Sequence, residues 1–136
     1  MKQRRRKKLQ RRLVEAATWG TPLDVGGLLR AGADPDAPNP EGTTPLYAAS
    51  VHGVAENVRV LTGAGADPGR ESGTGAEGLP LCAAACWGHD AAVRALLSAG
   101  ADPRQREDGG LGRTALEWAE AGGHQRALDL MRAAIG

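Results

Sequence analysis

A short peptide returns at a nearly fixed interval, and this constrains the chain more than anything else in it. Arg30-Ala31-Gly32-Ala33-Asp34-Pro35, Thr62-Gly63-Ala64-Gly65-Ala66-Asp67-Pro68 and Ser98-Ala99-Gly100-Ala101-Asp102-Pro103 are close copies, with their Asp residues 33 and 35 positions apart. A second set keeps the same phase: Thr44-Pro45-Leu46, Leu79-Pro80-Leu81 and Thr114-Ala115-Leu116. Counting from Leu13, Leu46, Leu81 and Leu116, a Gly follows at seven residues (Gly20, Gly53, Gly88, Gly123). An aliphatic residue follows at twelve (Val25, Val58, Val93, Leu128), and another apolar residue at fifteen (Leu28, Leu61, Leu96, Met131). Self-similarity at this period implies units that cannot bury their apolar faces singly and must stack.

Each unit predicts two short helices. Thr44 and Thr114 have the hydroxyl that accepts from a first-turn N–H, and Pro45 and Pro80 suit the first helical position. Ala16, Ala49, Ala84 and Ala119 allow neighbouring first helices to approach closely. Gly20, Gly53, Gly88 and Gly123 mark the turn between helices, and Gly32, Gly65 and Gly100 end the second helix. Leu79 stands where the capping Thr is expected, a loss of about 1 kcal/mol of local stability. With three Trp, one Tyr and no Phe in 136 residues, the core must be packed from small aliphatic side chains.

The segments Thr43-Thr44-Pro45-Leu46-Tyr47, Gly88-His89, Val93-Arg94-Ala95-Leu96-Leu97 and Ala99-Gly100-Ala101-Asp102 resemble the ankyrin repeat. The resemblance implies an all-α solenoid of helix-turn-helix units joined by extended loops. Four units are expected at about 10–36, 37–69, 70–104 and 105–136, with residues 13–136 as the repeat domain. The usual His after the motif Leu is missing throughout: Val14, Tyr47, Cys82 and Glu117 stand there. The last two inter-unit loops each carry two extra residues and are Gly-rich, so they are expected to be mobile and not regular β-hairpins.

The formal charge of +1 hides an asymmetry. Residues 1–12 hold eight basic side chains and no acid, leaving nine basic against sixteen acidic residues elsewhere, a net of −7. Residues 1–12 therefore read as a basic arm on an acidic body. Three roles stay open for it: a solvated start that is disordered or extends the first helix, a contact for nucleic acid or an anionic membrane through Arg4, Arg5, Arg6, Lys7 and Lys8, or a dock for an acidic protein. No apolar region long enough for a secretory signal or a spanning helix follows. Two Cys make no disulfide framework. A cytoplasmic protein is expected, and the use of Arg alone after Lys8 points to a bacterial one.

No catalytic motif appears, and neither an enzyme activity nor a cofactor is expected. His89 and His124 fall at the repeat's Gly-His place and are read as structural. Cys82, Cys86 and His89 share a helical face on paper, but a fourth zinc ligand is not evident, so no metal is expected. The resemblance implies that the last residues of the first helices contact partners. Here they are Thr18-Trp19, Val51-His52 and Cys86-Trp87, with Trp19, His52 and Trp87 forming an aromatic ladder. The alternative is that both Trp only cover neighbouring parts of the chain. Trp118 is expected in the core. Loop-tip contacts implied by the resemblance are Glu41, Thr43, Gly78 and Arg113, and acids around them suggest a partner with basic character. The chain is thus read as a binding module for a protein of unknown identity, with a nucleic-acid-associated regulator as the alternative. A monomer is expected, although an exposed Trp ladder would also serve self-association.

Overall fold

A computed structural model describes residues 2–136. Among them are four helix pairs: α1 (Gln3–Trp19) with α2 (Pro22–Arg30), α3 (Pro45–Val51) with α4 (Ala55–Gly63), α5 (Pro80–Cys86) with α6 (Asp90–Ser98), and α7 (Ala115–Gly122) with α8 (Gln125–Ile135). The first helices pack in a row, α1 on α3 on α5 on α7, and the second helices form a parallel row behind them. Thr44 and Thr114 cap α3 and α7 as their positions predict, and Glu117 returns the bond to the Thr114 N–H to complete a capping box. That contact with the Thr114 backbone holds the Glu117 carboxyl below its usual range.

The core lies between the rows. Leu13, Val25, Leu46, Val58, Leu61, Val93, Leu96 and Met131 are fully enclosed, with Ala49, Ala84 and Ala119 at the helix crossings. Unit one departs from the pattern. Ala16 and Leu28 occupy core positions of the repeat but are only half-buried, because no helix pair among the described residues packs on that side.

Successive pairs are joined by a glycine–histidine clasp. The His89 Nε2 lies 3.1 Å from the Val51 carbonyl oxygen, and the His124 Nε2 lies 2.9 Å from that of Cys86. A carbonyl only accepts, so Nε2 carries the proton in both rings. Each ring rests on the turn glycine of the preceding unit. Gly53 and Gly88 have φ near +70°, and a Cβ there would stand 2.6 Å and 2.5 Å from the ring Nδ1 atoms of His89 and His124. Val54 occupies the corresponding place between units one and two. There the buried Asn57 amide donates to the carbonyls of Ala16, Ala17 and Gly20 at 3.1–3.3 Å instead.

Of the two forms open to the start of the chain, disordered or extending the first helix, the structure has the second, helical from Gln3. Leu9 and Leu13 lie four residues apart on the face that packs, so the core holds the helix from the middle outward, and the division at residue 12 falls inside α1. Gln10, read only as part of the arm, is buried and clamps the first loop. Its Nε2 donates to the carbonyls of Asp34 (2.9 Å) and Ala37 (2.8 Å), and its Oε1 accepts from the Asp34 N–H at 2.6 Å. Gln10→Ala is expected to destabilise the fold by about 1–3 kcal/mol, read by chemical denaturation. Faster amide exchange should appear at Asp34 first.

The two long loops meet the expectation that they are not regular hairpins. They form no β-hairpin, only an isolated bridge between Ser72 and Gly78, yet they are stitched to each other and to the helices. The Ser72 hydroxyl accepts from the Thr44 N–H at 2.9 Å and donates to Glu77 at 2.7 Å. Glu71 accepts from the N–H groups of Asp108 and Gly109, and the Gln105 amide donates to the Gly69 carbonyl at 3.1 Å. Acidic side chains take up the N–H groups that Gly-rich sequence leaves without a regular ladder.

Candidate functional site

The loops and the row of first helices enclose a cleft. Tyr47 from α3, Cys86 and Trp87 at the end of α5, and Trp118 from α7 line it, with Glu77 and Glu107 supplied by the loops. A second, adjoining cleft of about 350 Å³ runs on between the loops past Glu71, Asp108 and Arg113.

Trp87 follows the last turn of α5 and is 64% exposed. It belongs to the cleft, but it does not continue a ladder with the other two aromatics. Trp19 and His52 are the one aromatic pair among the described residues, with ring centroids 5.3 Å apart. Trp19, 80% exposed, lines a separate opening of about 610 Å³ with Arg12, Glu15 and Leu28 at the free end of unit one. The expected ladder is therefore two patches. Thr18 and Val51, their neighbours, are half-buried. The Thr18 hydroxyl donates back to the Val14 carbonyl at 3.0 Å, and the Val51 carbonyl serves the clasp.

The loop-tip residues also divide. Glu41 and Arg113 are exposed. Thr43 is half-buried and donates its hydroxyl to Glu77 at 2.8 Å. Gly78 is buried, against the expectation that it forms an accessible tip. The bridge to Ser72 and the Glu107 carboxylate packed over it hold it inside the loop. Trp118, expected on a core-facing position as packing in the C-terminal unit, is half-buried against the core and also lines both clefts. Its Nε1 donates to Glu107 at 2.7 Å, and the Arg113 guanidinium sits 4.8 Å from its ring centroid.

Glu107 organises this region. Besides Trp118 it accepts from the Leu79 N–H at 2.9 Å. Leu79 begins α5 with no side-chain cap of its own; Glu107 takes up the N–H of this N-cap residue, as Glu117 does at Thr114, and does not replace the hydroxyl a Thr would offer to the first turn. The sequence shows Glu107 only as one loop acid among several. The two extra residues in each long loop were the available signal that these loops depart from the regular repeat.

Carboxylates set the electrostatics. Burial first, then the charges of Glu77 and Glu107, raise the Tyr47 phenol above its usual value of about 10. As the sole tyrosine, Tyr47 can be titrated by phenolate absorbance. Its midpoint should lie above that of the unfolded chain and move down in Glu77→Gln. The stability this shift contributes is present below the unfolded value and is lost as pH rises through the folded one. An unchanged midpoint in Glu77→Gln would show that Glu77 does not act on the phenol. Burial, followed by Glu107 and Glu71, pushes the Cys82 thiol well up. A thiol so held is a poor metal ligand and nucleophile at neutral pH. His89, the third member of that sequence cluster, is engaged in the clasp. No group of three potential ligands converges among the described residues.

The eight basic side chains of residues 2–12 point outward: Lys2, Arg4, Arg5, Arg6, Lys7, Lys8, Arg11 and Arg12 are all exposed. None of the ion pairs among the described residues involves them.

A stack of helix pairs with a cleft between its first helices and its loops is the form of a repeat protein that binds along its length. The chain belongs to the ankyrin repeat family, whose profile of three copies matches residues 13–107. The fourth helix pair lies beyond that match. Ankyrin repeats are generally protein–protein interaction modules. No curated protein matches the chain. No helix among the described residues is long and apolar enough to cross a membrane.

Proposed function

We propose that the chain is a non-catalytic cytoplasmic module that holds a partner protein in the cleft between the first helices and the loops. Trp87 carries this reading. A large, rigid aromatic ring stands in water at a helix end, beside a ready-made recess, where it adds little to the core. Such rings lose little conformational entropy on binding and make up many binding hot spots. Cys86 lies beside it in the cleft. Thr43, Glu41 and Arg113 border the loop side, and Trp19, His52, Thr18 and Val51 offer a second patch toward the amino-terminal end. Gly78 contributes through loop geometry alone.

A photo-crosslinking residue at position 87 tests the reading against one at exposed Arg94 on α6. A partner crosslinked from 87 and not from 94 supports it. For that partner, Trp87→Ala should weaken binding by about 2 kcal/mol at an unchanged melting temperature. Equal crosslinking from both positions would sink the idea.

A second reading has one observation in its favour: the unpaired basic face of α1 is suited to phosphate. Removing residues 1–12 is a poor test, because it also deletes Leu9 and the Gln10 clamp. Replacing Arg4, Arg5, Arg6, Lys7 and Lys8 by Gln should change stability by no more than about 0.5 kcal/mol per site. On this reading the same change abolishes retention on nucleic acid, and binding by the unaltered chain falls steeply with salt. Undiminished retention would exclude the arm as the contact.

A further inference from the structure

The cleft between Tyr47, Trp87 and Trp118 has negative charge along its edge and no cation in its lining; Arg113 stands outside it, over the Trp118 ring. It measures about 160 Å³, on the scale of a single long side chain. Three aromatic rings from three successive helix pairs line it, with Glu77 and Glu107 beside them, and its lining includes no Lys, Arg or His. Neither carboxylate belongs to an ion pair among the described residues. Each has two hydrogen-bond partners, all of them neutral: Thr43 and Ser72 for Glu77, Leu79 and Trp118 for Glu107. A carboxylate offers about four lone-pair sites, so acceptor capacity remains on both.

We propose that this cleft receives an arginine or lysine side chain of the partner protein. The inference rests on the groove-binding reading and names the chemistry of what the groove holds. Ring faces attract a cation, and two nearby carboxylates complement its charge. An apolar side chain in the same place would remove water from both carboxylates and return nothing to them. An acidic one would be repelled. The chain already uses this chemistry a few ångströms away, where Arg113 lies over Trp118. Burial first, and then the charges of these same two carboxylates, raise the Tyr47 phenol at the edge of the cleft.

The test is to titrate the full ¹⁵N-labelled chain with a blocked Gly-Gly-Arg-Gly-Gly peptide and with its citrulline counterpart, which keeps the shape and loses the charge. The indole N–H signals of Trp87 and Trp118 report on the cleft, and that of Trp19 serves as an internal control. The arginine peptide should move the first two and leave the third. Its affinity should exceed that of the citrulline peptide by about tenfold and fall about fivefold in Glu77→Gln. Gln is nearly isosteric with Glu and still serves the two hydroxyls, so the variant should fold. The wild-type comparison of the two peptides does not depend on it. Equal shifts with both peptides would overturn the cationic preference while leaving the groove as a binding surface. Shifts confined to loop amides away from both indoles, or no shift with either peptide, would overturn the proposal. The crosslinking test at position 87 then decides the groove reading separately.

Discussion

Gly88→Ala should lower stability by about 3 kcal/mol or more. Two costs combine. A φ of +68° strains any residue with a Cβ by about 1–2 kcal/mol. The new Cβ would also stand 2.5 Å from the His124 Nδ1 and 2.8 Å from its Cε1. The ring must shift, and its bond to the Cys86 carbonyl is lost with it. A double-mutant cycle separates the terms. In a His124→Ala background, Gly88→Ala should cost only the backbone strain, about 1–2 kcal/mol. An equal cost in both backgrounds would show that the ring does not bear on the glycine.

Glu107→Ala should cost about 3 kcal/mol, although the residue sits in a loop and looks dispensable in the sequence. Two donors would lose their acceptor at once, the N–H of buried Leu79 and the Nε1–H of half-buried Trp118, at about 1–3 kcal/mol for each fully buried one. Glu107→Gln should cost roughly half as much, because one end of an amide accepts and the other donates. Chemical denaturation gives the magnitudes. Faster exchange of the Trp118 indole proton and the Leu79 amide would locate the damage. If alanine proves as stable as wild type, water replaces the carboxylate at both donors and Glu107 does not hold α5 in place.

The helix pairs were legible because their determinants are local. Thr44-Pro45 and Thr114 start helices through bonds within the next turn, and the Leu13/Leu46/Leu81/Leu116 phase places the core side chains. The cleft was less legible because its determinants act at a distance. Glu107 reaches back 28 residues to Leu79, and Gln10 reaches forward 24 to Asp34. Neither leaves a periodic trace. Trp118 has the spacing of a core residue and packs against the core, but the bond of its indole N–H to Glu107 could not be read from that spacing. The aromatic ladder failed for a related reason. Equal repeat positions need not have equal surroundings, and Trp19 sits at the stack's open end where Trp87 has a folded loop beside it.

The clasp also has a direction: the earlier unit contributes the glycine and the later one the histidine. Lengthening the array by gene duplication would therefore obey a grammar. A second copy of residues 70–104 placed after the first would bring His89 onto Gly88 at the new junction. It would also offer its own Gly88 to His124, so both joints would close. A second copy of residues 37–69 would lay Val54 against Gly53 and leave the Val51 carbonyl without its donor. Only one of the internal units is written so that it can follow itself.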